Sequence, residues 1–257
     1  MSGNALYTDF SGYYDLMCTD INYPAQSNHI RRLHQIFGTS GSNALSSNAP
    51  SLNHLDLACG TGPHVQQFIN FNYHSSGLDI NQPMLDLAKK RCPKAVFSLQ
   101  DMSDFTANEP LDLITCFLYS IHYNATIKKL TQCLASVHKA LKTGGVFCFN
   151  GVDKHKIDNA LFIKHSRQHK DATFTFSSGW YYSGQGEAQQ LKLTIEKTTA
   201  DLTHTWQDEH PMVAVNFGEL KALLAPYFEV HAFEHDYEKI IPLNAASGNA
   251  IFVCIKK

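Results

Sequence analysis

From residue 52 onward, short apolar runs alternate with segments whose apolar residues recur at spacings of three and four. The first pattern predicts strands and the second predicts helix faces. Residues 55–58 read as a first strand, cut off by Gly60 and Gly62. Val65, Phe68 and Ile69 mark the face of a helix behind it. Residues 76–80 read as a second strand. Asn81 is placed to cap the next helix, with Pro83 in its first turn and Leu85, Ala88 and Cys92 inward. Residues 95–99 form a third strand. Residues 111–118 are almost all apolar, as the buried centre of a parallel sheet requires. A helix over about 125–141 ends toward Gly144-Gly145, and 146–150 make a fifth strand.

The ends of the chain depart from this rhythm. In the front segment, Pro24 marks a helix start, and Ile30, Leu33 and Phe37 share one helix face. Residues 38–51, rich in Gly, Ser and Asn, are expected to be a mobile surface loop. Residues 171–215 alternate at period two around a Gly-containing turn, which predicts inserted antiparallel strands. A helix over 217–224 and strands over 229–237 and 250–255 close the chain. The fold class is therefore α/β: a doubly wound, mostly parallel seven-stranded sheet with helices on both faces, plus an antiparallel β region inserted before the last helix. One domain over 1–257 divides into an N-terminal helical cap (1–37), the loop (38–51), a cofactor-binding core (52–150), the inserted strands (171–215) and a closing helix and strand pair (216–257).

Composition changes this picture little. The chain has 257 residues, 44% hydrophobic and 17% charged, with a formal net charge of -2. No nucleic-acid partner is expected from that balance. No window approaches the roughly 18 apolar residues of a membrane span, and the N-terminus has no secretory pattern. Seven cysteines, unevenly spaced and without a CxxC pair, read as reduced core residues. A cytoplasmic location is expected. His165 and His169, four apart, lack an evident third ligand and lie among Lys164, Arg167 and Lys170, so no metal is expected. Lys128, Lys129, Lys139 and Lys142 read as the outer side of a helix.

The chemistry lies at the strand ends, because ligands of such sheets bind outside the carboxyl edge. In LDLACGTGPH (55–64), a strand enters a glycine turn and then a helix. Gly60 and Gly62 let the backbone turn sharply and approach a ligand. Asp79 ends the second strand, where an acid that bonds ribose is expected; its plain alternative is a helix cap. Asp101 follows the third strand, where a carboxylate can accept from an adenine amino group and Met102 can cover the ring. A dinucleotide site would need GxGxxG. From Ala58 that register ends at Pro63, and from Gly60 at Val65, so neither fits.

DxACGTG, GLDI, QDM, CFLYSIHY and LKTGGVF, in that order, resemble the class I, seven-stranded, Rossmann-like S-adenosylmethionine-dependent methyltransferases. The closing GNAIFVCIKK also resembles that class. The resemblance implies that Asp56, Ala58, Gly60 and Gly62 surround the methionine end of S-adenosyl-L-methionine. It places Asp79 on the ribose, Ile80 and Met84 near the adenine, Asp101 and Met102 on its edge and face, and Phe117 and Leu118 beside the sulfonium. Ala58 stands where glycine is commoner. The front segment SGYYDLMCTDINYPAQ resembles that of small-molecule N-methyltransferases. There Tyr14 would close over the cofactor, and Arg31 or Arg32 would bond its carboxylate.

The expected reaction is in-line methyl transfer to a small-molecule acceptor, nitrogen favoured over oxygen, driven by proximity and orientation. S-adenosyl-L-homocysteine is then the product. An amine acceptor must lose a proton, either to solvent before binding or to a base; His122 is the candidate base, with a packing or substrate-positioning histidine as its plain alternative. Tyr13, Tyr123, Trp180, Tyr182 and His204 are candidates for the acceptor site, and Phe117 and Tyr14 can face the cation. The chain is expected to act as a monomer or homodimer. Two other readings stay open: a non-catalytic cofactor-binding or regulatory protein on the same fold, and a NAD-dependent oxidoreductase.

Overall fold

Alternation along the central strands sends apolar side chains to both faces of one sheet. In the computed structural model, which describes residues 11–39 and 51–257, β1 (Asn53–Leu57), β2 (His74–Asp79), β3 (Val96–Leu99), β4 (Leu111–Cys116) and β5 (Leu141–Val152) belong to a seven-stranded sheet. Residues 1–10 of the expected cap and 40–50 of the expected loop lie outside the described residues. Before the sheet come a short α1 (Tyr14–Met17) and α2 (Tyr23–Phe37). Asn22 caps α2 by accepting from the Ala25 N–H at 3.0 Å.

All six residues of β4 are buried. Leu113 joins the cluster of Ile30, Leu33 and Phe68 on one face, while Ile114 joins that of Leu134, Phe149 and Phe252 on the other. A strand covered on both faces is mostly apolar, which is why the sequence shows a run here, broken only by Asp112 and Thr115, and not an alternation. The helices between strands are α3 (Pro63–Asn70), α4 (Gln82–Arg91) and α5 (Ile127–Ala140).

The second half holds β6 (Ile163–His169), β7 (Ala172–Tyr182), β8 (Ala188–Thr198), β9 (Thr203–Val213), α6 (Phe217–Leu224), β10 (Phe228–Glu234) and β11 (Asn249–Lys256). The order across the large sheet is β10-β11-β5-β4-β1-β2-β3, with β11 antiparallel to both neighbours and the rest parallel. The chain runs outward from β1 to β3, then returns to β4 on the other side of β1. That reversal opens a crevice at the carboxyl ends of β1 and β4.

The insert is a separate antiparallel sheet, β6-β7-β8-β9. It begins earlier than 171: β6 holds His165 and His169 and the basic residues Lys164 and Arg167 among which they lie. Its inward side chains are polar. His165 Nε2 donates to the Met17 carbonyl at 2.9 Å and its ring stacks on Phe176, while Arg167 pairs with Asp20. The inward face of this sheet, through Phe174, Phe176, Leu193 and Ile195, packs on Tyr13, Tyr14, Leu16 and Met17 of the front segment. The seven cysteines are buried thiols. Among the described residues no helix is long and apolar enough to cross a membrane, and no group of three or more His, Cys, Asp or Glu is placed to hold a metal ion.

Candidate active site

The turn after β1 is built from left-handed backbone. Ala58, Gly60 and Gly62 have φ of 51°, 55° and 78°. The Gly60 N–H donates to Asp79 Oδ2 at 2.9 Å. A Cβ on Gly60 would reach within 3.8 Å of Tyr14 and 3.9 Å of Met84, two side chains that line the main cavity. Gly60 therefore keeps that space open. Gly62 has a different task. Its Cβ would meet Ala88 at 3.2 Å, so its bare backbone lets α3 start against α4. It lines neither cavity described below, and its expected contact with the cofactor becomes a packing role.

A cavity of about 250 Å³ opens at the carboxyl edge, near the lower end of the roughly 300–1,000 Å³ usual for small-molecule sites. Tyr14, Ala58, Gly60, Asp79, Ile80, Met84, Asp101, Met102 and Tyr123 line it. So do Asn81, Gln100, Ser120, Lys129 and Pro211, none of which the sequence marked as a site residue. Asp79 Oδ1 accepts from the Asn81 N–H at 2.9 Å and from its side-chain amide at 3.1 Å. Asn81 thus serves Asp79 and makes no side-chain cap on α4. Burial pushes the Asp79 carboxyl up, opposed by these donors. Lys129 is not merely an outer lysine: its Nζ lies 3.2 Å from Asp101 Oδ2. The donors Ser103 and Lys129 outweigh partial burial and hold the Asp101 carboxyl below its usual range. Ile80, 65% exposed, stands at the rim.

A smaller recess of about 20 Å³ shares Tyr14, Ala58, Gly60 and Ser120 with this cavity and adds Asp56, Phe117, Leu118, Tyr23 and His64. Asp56 Oδ1 accepts from the Thr115 hydroxyl at 2.6 Å, and His54 bonds Thr115 at 2.9 Å behind it. Burial pushes the Asp56 carboxyl up to about 7 and the His64 imidazole down to about 4. The two groups stand 3.9 Å apart. His64 Nε2 reaches Gln26 Oε1 at 3.1 Å, and its ring meets Tyr23 edge-on at 5.0 Å. His64 closes the LDLACGTGPH run but has no assigned role of its own, and Tyr23 has no sequence signal as a site residue because it reads as the start of a helix.

The front segment closes over both spaces. Asp15 pairs with Arg91 and accepts from Thr61 Oγ1 at 2.6 Å, while Arg91 donates to Thr61 at 3.1 Å. This latch holds α1, and with it Tyr14, against the glycine turn.

Several expected residues lie elsewhere. Arg31 bonds Asn28 at 2.9 Å and lies over the Phe71 ring at 4.9 Å, so it faces away from the recess. Arg32 reaches the Glu238 carbonyl. His122 is fully buried and lines neither space. Its Nδ1 donates to the Val213 carbonyl at 2.9 Å and its Nε2 accepts from the Val152 N–H at 3.0 Å. Burial lowers it to about 4. With the Nε2 lone pair taken by a backbone donor, it is a bracket between strands and not a base. Tyr13 stacks on Phe174 at 4.6 Å in the second sheet's core. Tyr182 is buried, its hydroxyl on the Gly186 carbonyl at 3.1 Å. His204 is exposed and stacks on Trp206. Trp180 meets Tyr119 and His122 edge-on and does not line the two spaces.

Residues 55–145, which hold the glycine turn and both cavity acids, match a family model described as a methyltransferase domain. Residues 55–145 thus resemble a methyltransferase domain, and the seven-stranded sheet that holds them has the class I methyltransferase fold. Over 92 residues the chain is 34% identical to dTDP-4-amino-2,3,4,6-tetradeoxy-D-glucose N,N-dimethyltransferase of Saccharopolyspora spinosa, covering 36% of this chain and 37% of that one. Over 92 residues it is 35% identical to dTDP-3-amino-3,4,6-trideoxy-alpha-D-glucopyranose N,N-dimethyltransferase of Streptomyces venezuelae, covering 36% and 39%. The match thus spans little more than a third of these relatives' length. Among solved structures, DesVI of Streptomyces venezuelae superposes with a TM-score of 0.79 at 21% identity, over 97% of this chain and 99% of that one. An amino pentose methyltransferase from Micromonospora echinaspora, with S-adenosylmethionine bound, gives 0.77 at 17% identity, over 97% of each chain. At such identity the likeness is one of fold. At 97% coverage of this chain the likeness extends over the second sheet as well as the first.

Proposed function

We propose that this chain transfers the methyl group of S-adenosylmethionine to a nitrogen of a small molecule, and that the acceptor is an amino sugar carried on a nucleotide. The observation that carries the reading is the pair of joined spaces at the carboxyl edge: Asp79, Asp101 and Met102 at one end, Asp56 and Phe117 at the other, Tyr14 across both. Asp79 would hold the ribose, Asp101 and Met102 the adenine, and Asp56 the ammonium of the methionine end. The two relatives above, both named for N,N-dimethylation of dTDP-amino sugars, support the acceptor class.

Bound S-adenosylmethionine supplies an activated methyl group. The chain's own residues then have to orient the acceptor nitrogen and keep water out, for which proximity alone can lower the barrier by roughly 7–11 kcal/mol in ideal cases. Tyr14, on the helix latched by Asp15 and Arg91, would close the site. Titration calorimetry with S-adenosylmethionine, S-adenosylhomocysteine and NAD tests the cofactor, and mass-spectrometric detection of methylated dTDP-amino sugars tests the acceptor. Binding of NAD alone overturns the reading. Tight binding of S-adenosylmethionine without transfer to any amine of a broad panel favours a binding protein on the same fold.

A further inference from the structure

Along β9, residues 206, 208, 210 and 212 point to one face, because side chains alternate along a strand. Trp206 packs beside the apolar cluster of Phe174 and Ile195, and Met212 is buried. Between them stand Asp208 and His210, 8% and 0% exposed. An acid and an imidazole on the buried face of a sheet require partners. His210 Nδ1 lies 2.7 Å from the Tyr123 hydroxyl, and its Nε2 lies 3.9 Å from Asp208 Oδ2. Tyr123 sits on the turn after β4 and lines the main cavity beside Ser120 and Pro211. An acid, an imidazole and a phenol thus form a line that ends at the cavity wall.

We propose that Tyr123, His210 and Asp208 are a proton relay that takes the proton of the acceptor's ammonium before methyl transfer. The proposal rests on an amine acceptor, as above. Tyr123 meets the acceptor; His210 and Asp208 are positioning residues that act through it. The acceptor N–H bond breaks and its proton moves to Tyr123 Oη, while the phenolic proton passes to His210 Nδ1. The freed nitrogen pair forms the new N–C bond as the S–C bond of the methyl donor breaks, its electrons going to sulfur. After the product leaves, the Nδ1 proton of His210 returns to Tyr123 Oη and the phenol gives its own proton to water in the open cavity.

The surroundings suit this. Burial keeps the His210 imidazole low in proton affinity, opposed by Asp208, so it starts neutral and able to accept. β8 sets Leu191 opposite His210 and Leu193 opposite Asp208. The neighbouring charges Lys192 and Glu209 alternate to the other face and lie 3.8 Å apart. His122, on Tyr123's own turn, is committed to Val213 and Val152. Across the cavity stand Tyr14, Asp79, Asp101 and Lys129.

Histidine-detected NMR of the whole chain with S-adenosylhomocysteine tests the first step. His210, assigned by its loss in His210→Gln, is expected to be neutral at pH 7 with its proton on Nε2. A proton on Nδ1 overturns the relay, since that nitrogen then has no pair for the phenolic proton. The second test uses dTDP-4-amino-2,3,4,6-tetradeoxy-D-glucose as probe acceptor. Tyr123→Phe and His210→Gln are each expected to lower kcat about 100-fold at pH 7, within the range of general acid–base catalysis. At pH 9.5, where the probe has shed its own proton, the deficit narrows to about five-fold. An equal deficit at both pH values overturns the relay. If the unaltered chain does not methylate this sugar, the functional reading fails at that acceptor, and the His210 tautomer by itself decides for or against the relay.

Discussion

Asp79 at the end of β2 accepts the backbone N–H of Gly60 across the crevice, at 2.9 Å. The acid therefore arranges the glycine turn as well as facing the cavity. Asp79→Ala would remove a charged acceptor toward the ligand and free the Gly60 amide. Hydrogen bonds to charged groups contribute roughly 1.5–3 kcal/mol each, so S-adenosylhomocysteine affinity is expected to fall about 10- to 100-fold in titration calorimetry. An unchanged Kd would remove Asp79 from the cofactor site.

Ala58 holds a φ of 51°. An L-residue in this region costs about 1–2 kcal/mol, whereas glycine's extra freedom in the unfolded chain costs about 0.5–1 kcal/mol. Ala58→Gly is thus expected to stabilise the fold by about 0.5–1 kcal/mol, read as a rise in denaturation midpoint without a change in slope.

The strand ends were legible in the sequence because each apolar run stops at Gly60, Asp79 or Asp101, and parallel strands bring their ends to one edge. Arg31 was not, because periodicity assigns a helix face but not where a long side chain reaches; its guanidinium chose Asn28 and Phe71. β6 escaped notice because its inward residues are His165 and Arg167, so hydrophobic alternation has nothing to report. His122 misled because CFLYSIHY puts two adjacent rings on one turn. The turn sends His122 into the strands and Tyr123 to the cavity, a choice that local spacing does not contain. The pairing of Tyr123 with His210, 87 residues later, depends on how the second sheet docks.

The latch gives a kinetic prediction. Asp15 and Arg91 are partly exposed, so their ion pair adds only about 0–1 kcal/mol; the Thr61 hydrogen bond adds about 1 kcal/mol. Asp15→Ala is expected to speed S-adenosylhomocysteine dissociation by roughly 3- to 10-fold, followed by stopped-flow fluorescence. Raising the salt concentration should speed dissociation in the unaltered chain and have less effect in the variant.

Asp56 is expected to make cofactor binding depend on pH. Burial raises its carboxyl to about 7, so it is largely protonated at pH 6. A ligand ammonium beside it favours the carboxylate. Binding below pH 7 is then expected to release a proton, and affinity to rise with pH up to about 7 and level off. Calorimetry at pH 6 in buffers of different ionisation enthalpy would count that proton. Asp56→Asn should abolish both the release and the slope; His64, already neutral at these pH values, should contribute neither.

His122 is expected to govern stability instead of turnover, and the sign of its pH effect follows from its bracket. Burial lowers its folded pKa to about 4, below the 6.5 of an exposed imidazole. Between those values the unfolded chain binds the extra proton, so stability rises with pH there. Its contribution is complete above about 6.5 and is lost as pH falls toward 4. His34 and His64, also lowered to about 4, act in the same direction. The raised Asp56 carboxyl acts in the opposite sense, because the folded state then holds the extra proton. His122→Ala would leave the Val152 N–H and Val213 carbonyl without this partner, at about 1–3 kcal/mol each. Thermal melts are expected to show a lower Tm at pH 7 and a shallower fall between pH 6.5 and 4. A variant that keeps its Tm at pH 7 but loses turnover would return His122 to the reaction.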